Sequence, residues 1–184
     1  MTNYHMLDIT SYLNNVGCTN DNNISHGELS LGKLSLPEKF LPFGSIFYYE
    51  KIPFKFIKYN QYDNIELSGQ IINFKAKQIT KVHLLGTASE ADMYGDVHFC
   101  NNNQIVHSDK MFFSHFTKSK SSFRDQLALQ FPYIHLPTGI LNQVSPSIWY
   151  DVISFPKSTA VSSIHFEDNP CLHLFCLTIE LGDL

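Results

Sequence analysis

Short runs of apolar or alternating residues recur along the chain, each closed by a cluster of Pro, Gly, Asn or Ser. Runs of that length fit strands, whose successive side chains point to opposite faces of a sheet. The pattern predicts strands at Ser45–Tyr49, Phe54–Lys58, Gln70–Phe74, Lys81–Gly86, Asp96–Cys100, Gln104–His107, Ile148–Phe155, Ser162–Phe166 and Leu172–Leu181. Two stretches, Ile9–Val16 and Ser122–Gln130, are candidates for short helices. Val97–Cys100 and Gln104–Val106 flank three asparagines, which tolerate the left-handed backbone of a tight turn, so a hairpin is predicted there. The run Cys171–Leu181 is apolar on both faces for much of its length. Such a strand belongs at the centre, covered by a second sheet on one side and a loop or helix on the other. The reading is an all-β chain: a two-sheet antiparallel β-sandwich, jelly-roll-like, with one to three short helices, forming a single domain over 1–184.

Composition agrees. Fifteen Phe and nine Tyr among 184 residues favour pleated, half-buried surfaces. Apolar residues make up 43%, enough for a substantial core, whereas charged residues reach only 16%. The net charge of −4 and the lack of any Lys/Arg cluster argue against nucleic acid as a partner. No run approaches the ~20 apolar residues of a membrane span, and no basic, apolar secretory leader is visible, so a cytoplasmic protein is expected. Cys18, Cys100, Cys171 and Cys176 lack framework or zinc-site spacing and are expected to be reduced, buried thiols.

Several local patterns resemble a carbohydrate-associated β-sandwich module found beside bacterial glycoside hydrolases. They begin with Leu7-Asp8-Ile9-Thr10, Leu13-Asn14-Asn15-Val16-Gly17 and Asp21. Leu36-Pro37, Leu41-Pro42 and Ile52-Pro53-Phe54 follow, then Asp63-Asn64-Ile65, Gly69-Gln70-Ile71-Ile72 and Val82–Ser89. The asparagine hairpin, Ser108-Asp109, Ile148-Trp149 and Asn169–Phe175 complete the series. The resemblance implies a sandwich fold and a carbohydrate-binding role.

Candidate chemistry is spread among four groups. Asp63 and Asn64, with Gln70 six residues after Asn64, and Trp149 could hold sugar hydroxyls and stack on a sugar ring, or could serve as turn and core residues. Glu90, Asp92 and Asp96 lie in one stretch and could supply oxygens to calcium, or could simply be solvated. Among nine histidines, His83 and His173 are the acid–base candidates if they face one cleft, with Asp63 or Asp109 as carboxylate partner. Phe112, Phe113, His115 and Phe116 could line a pocket or a homodimer interface. No phosphate loop, dinucleotide fingerprint or zinc-protease motif is present. The first reading is a binding module for a carbohydrate or a glycosylated small molecule. The alternative is a small acid–base enzyme (cyclase, isomerase or hydrolase) on the same scaffold, and the third is an interaction protein.

Overall fold

The structure is a computed structural model that describes residues 3–182. The ends of the expected domain, residues 1–2 and 183–184, lie outside the described residues. In chain order the strands are β1 (Asn3–Met6), β2 (Cys18–Thr19), β3 (Leu36–Pro37), β4 (Ile46–Tyr49), β5 (Ile52–Lys55), β6 (Ile65–Ser68) and β7 (Ile71–Ala88). They continue with β8 (Met93–Asn101), β9 (Gln104–Phe113), β10 (Gln126–Gln130), β11 (Ile134–Leu136), β12 (Gly139–Leu141), β13 (Ser147–Phe166) and β14 (Asp168–Leu181). Among the described residues there is no α-helix, only 3-10 turns at Thr10–Tyr12, Ile24–His26 and Glu38–Phe40. The expected helix at Ile9–Val16 is thus one such turn. The stretch Ser122–Gln130 ends instead in β10, paired with Ser147–Tyr150 of β13.

The main sheet runs β1-β14-β7-β13-β8-β9, with β6 added to β14 and β10 to β13, all antiparallel. The short β2–β3 pair is parallel. Several predicted strands prove to be halves of longer ones. Gln70–Phe74 and Lys81–Gly86 are parts of β7, while Ile148–Phe155 and Ser162–Phe166 are parts of β13. Straight, the 20 residues of β13 would span roughly 66 Å, against a radius of gyration of about 16 Å for a chain of this size. Register shifts between Ser154 and Thr159, where Pro156 sits, and between Val161 and Ser163 interrupt its ladder to β7. Bulges of this kind bend a strand, and they accommodate a proline that a regular central ladder would reject.

Bending folds the sheet into a sandwich. One core cluster lies between the layers and joins Val97, Phe99, Met111 and Phe113 of β8–β9 to Trp149, Leu174, Leu177 and Ile179. At one close crossing, β9 presses on β7: a Cβ on Gly86 would lie 2.5 Å from the Phe113 ring and 2.6 Å from the His173 carbonyl. The opposite face carries a second cluster, with Leu85, Ile148, Tyr150, Phe175 and Cys176 beneath Leu29, Phe54, Phe56, Phe116 and Phe131. Loops and small hairpins therefore cover the outer face, as the two-sided apolar pattern of β14 predicted. The hairpin at Asn101–Gln104 is also present, with Asn102 and Asn103 both at positive φ, as a tight two-residue turn requires. Cys18, Cys100 and Cys176 are buried, Cys171 is partly exposed, and all four are free thiols.

Gly86→Ala tests the closure. The added methyl has no room against Phe113 and the His173 carbonyl, so stability should fall by about 1–3 kcal/mol in denaturant unfolding. An unchanged midpoint would mean that the layers are not packed this closely.

Candidate functional site

Beside the N-terminal half of β14, the structure holds a cavity of about 460 Å³. Its lining includes Glu28, Leu31 and Lys33 from a tight loop, Glu66 from β6, Ser89 and Glu90 after β7, and Cys171 and His173 from β14. The loop turns through Lys33 at positive φ, and its Lys33 N–H donates to the Ser30 carbonyl at 2.8 Å. Leu31 at its tip is 89% exposed, and its N–H donates to Glu90 Oε1 at 2.8 Å.

Behind the cavity stands a buried polar relay. Asp63 accepts the backbone N–H groups of Gly17 at 3.1 Å and Cys18 at 2.9 Å, and the Asn64 amide at 2.9 Å. The Asn64 amide also donates to Asn15 Oδ1 at 3.0 Å. With its NH₂ turned to these acceptors, Asn64 presents Oδ1 to His173 Nδ1 at 3.0 Å. The proton of His173 is therefore on Nδ1, and Nε2, which has no hydrogen-bond partner among the described residues, is a bare acceptor at the cavity wall. His173 is 1% exposed, and burial drives its pKa down to about 3, so the imidazole stays neutral. Burial also lifts Asp63, to about 7, against the pull of its three donors. Gly17 makes this approach possible, since a Cβ there would collide with the Asn64 amide and lie 3.1 Å from Asp63 Oδ1.

Of the residues expected to bind ligand, Asp63 and Asn64 act at one remove, by positioning His173. Gln70 does not reach the cavity. Its amide closes the turn at Gly69, accepting from Ser68 N–H at 2.7 Å and donating to the Glu66 carbonyl at 2.9 Å. Trp149 is fully buried among core residues, so it presents no face to a ligand.

The acid–base pair expected of His83 and His173 is not assembled. His83 faces Thr178 across the β7–β14 ladder and His173 faces Thr87, about 13 Å apart along the strands at ~3.3 Å per residue. The imidazole of His83 does lie opposite the face of Leu84, but that outer face is itself covered, so His83 is buried. Its Nδ1 meets the Tyr150 hydroxyl at 2.8 Å and its Nε2 lies 3.4 Å from Glu180, which Lys81 also pairs. Burial lowers His83 to about 4 despite Glu180, and raises Tyr150. Asp109 sits on the edge strand β9 opposite Val97, its carboxylate accepting the Lys110 N–H.

Glu90, Asp92 and Asp96 do not converge either. Glu90 holds the Leu31 loop, Asp92 binds Lys118 and the His115 N–H, and Asp96 pairs with Lys110 at 2.5 Å. No set of three or more His, Cys, Asp or Glu side chains among the described residues is grouped to hold a metal ion. Of the aromatic segment, Phe113 and Phe116 are core residues, while Phe112 is partly buried and packs on Phe123 and Arg124.

The sequence reading missed Glu28, Glu66 and Cys171 at the cavity. It also missed a hydroxyl–imidazole–carboxylate series, Thr19–His135–Asp21, at 2.8 and 3.2 Å. Thr19 and His135 are fully buried, so that series ties β2 to β11 and offers no open nucleophile. A second groove of about 580 Å³ lies along β1 and β5, but its Lys58 is paired with Glu38 and its Asp8 with Thr10.

The titration of the buried groups sets a pH dependence. An unfolded histidine titrates near 6.5, so on acidification the unfolded chain takes up protons on His83 and His173. The folded chain refuses them until about pH 4 and about pH 3, so stability is lost as pH falls below about 6.5. Asp63 opposes this, because its folded value of about 7 exceeds the unfolded 3.8 and protonation favours the folded state. Two histidines outweigh one carboxylate. Melting temperature should fall between about pH 6.5 and 4, and Asp63→Asn should steepen that fall. A flat profile would show that the imidazoles are not held neutral.

No protein of curated function matches the chain. Among the described residues no helix is long and apolar enough to cross a membrane. Residues 4–181 match the model of a family described as AziU2-like beta-sandwich domain, which agrees with the folded sheet seen here; that description names a fold and no ligand. The chain belongs to the AziU2-like beta-sandwich domain family.

Proposed function

We propose that the protein is a small-molecule-binding module whose ligand, a carbohydrate or a glycosylated small molecule, sits in the cavity beside β14. The observation that carries this reading is the bare Nε2 of His173. This acceptor faces the cavity, and a ligand hydroxyl there can donate to it. The relay through Asp63 and Asn64 supports the same reading, because it fixes the tautomer before any ligand arrives. A preformed acceptor spends no ordering entropy on binding. The walls add carboxylates and an apolar patch from Leu29, Leu31 and Pro170, a mixture suited to a hydroxyl-rich molecule with a hydrophobic face.

The acid–base alternative has weaker support. His173 at about 3 is a poor base near neutrality, and His83 is sealed from the cavity.

Titration of ¹⁵N-labelled protein with glucose and galactose tests the proposal. Binding at a Kd of about 1 mM, roughly −4 kcal/mol, should shift the amides of Leu31, Glu66, Ser89 and Cys171. Shifts confined to other faces, or none up to about ten times that concentration, would refute it.

A further inference from the structure

The hydrogen-bonding groups of the cavity are unbalanced. Glu28, Glu66 and Glu90 contribute three carboxylates, against Lys33 as the one cation among the described lining residues. One oxygen of Glu90 is occupied by the Leu31 N–H, and Glu66 Oε2 accepts from Asn15 at 3.2 Å. Glu66 Oε1 and the Glu28 carboxylate have no hydrogen-bond partner among the described residues. The Ser89 hydroxyl spends its proton on the Cys171 carbonyl at 3.5 Å, leaving acceptor lone pairs. His173, buried and aimed at the same space, offers a lone pair as well. Lys33 apart, the donors among the lining side chains are the Ser30 hydroxyl, which accepts the Leu34 N–H, and the weak Cys171 thiol, so acceptors and negative charge prevail.

Glu28 and Glu66 are also electrostatic neighbours. Burial raises the pKa of Glu66, and the Glu28 charge raises it further. A cation placed between them would relieve that repulsion. The acidic side chains are not gathered tightly enough for a metal ion, and they surround a space of about 460 Å³, which suits an organic cation.

We infer that the ligand carries a protonated amine, with Glu66 and Glu28 as its counter-charges and His173 Nε2 accepting from the same amine or an adjacent hydroxyl. The inference rests on the cavity being the ligand site proposed above, and it narrows the ligand class from neutral sugars to amino sugars and related hydroxy-amines. The loop Glu28–Lys33 brings one carboxylate from the outer layer and β6 brings the other. Charge-assisted hydrogen bonds are roughly twice as strong as neutral ones, so the amine should dominate affinity.

Calorimetric titration of the full chain at neutral pH with glucosamine, glucose, N-acetylglucosamine and ethanolamine tests this. Glucosamine should bind ~10-fold tighter than glucose, and acetylation, which removes the charge, should abolish the gain. Ethanolamine should compete with glucosamine if the charged amine is the main determinant. Glu28→Gln lies at an exposed position and so leaves folding intact, and Glu66→Gln keeps an acceptor for Asn15. Each should shrink the glucosamine preference. Equal affinity for glucose and glucosamine, or a preference untouched by both variants, would overturn the amine assignment while leaving the hydroxyl-binding reading in place. Binding by none of the four probes would overturn both.

Discussion

The ladder between β7 and β14, from Leu172 opposite Ala88 to Leu181 opposite Ile79, is what the other layers are laid upon. Both of its faces are buried, Leu84, Leu174 and Leu177 on the inner one and Leu85, Phe175 and Cys176 on the outer. A strand pair covered on both sides cannot expose polar side chains to water, so each polar residue in it must find a partner within the protein. His83, Thr87, His173 and Thr178 all occupy such positions. Thr178 donates to the Pro53 carbonyl at 2.6 Å, and His83 meets Tyr150.

His173 is the exception that creates a site. One ring nitrogen is satisfied by Asn64 and the other is left to a cavity. That arrangement depends on a chain of contacts reaching back to the N-terminal segment, where Gly17 and Cys18 hold Asp63 by their backbone N–H groups. The N-terminal loops therefore do more than cover the outer core. They set the direction in which Asn64 points, and through it the proton of His173.

The same burial separates the two histidines into different roles. Desolvation depresses both, yet His83 is enclosed by Tyr4, Tyr150 and Glu180, whereas His173 borders open space. An imidazole with no route to solvent contributes packing and hydrogen bonding. An imidazole at a cavity wall can contribute recognition. Chemically identical side chains on paired strands thus diverge according to what the outer layer places over them.

Local chemistry alone determined much of this protein. The period-two pattern, the aromatic and β-branched content and the asparagine turn were enough for an all-β chain with β14 covered on both faces, although it lies second from the sheet edge, because these features act between neighbouring residues. Asp63, Asn64 and His173 could also be singled out, as polar residues set beside apolar strands. Which of them would meet was decided by tertiary structure. Glu28, Glu66, Ser89 and His173 are distant in sequence, and only strand pairing brings them around one space. The fate of Trp149, the scattering of Glu90, Asp92 and Asp96 and the strand at Gln126–Gln130 were decided in the same way. Burial and partner choice are properties of the whole packed arrangement, and no window of sequence contains them.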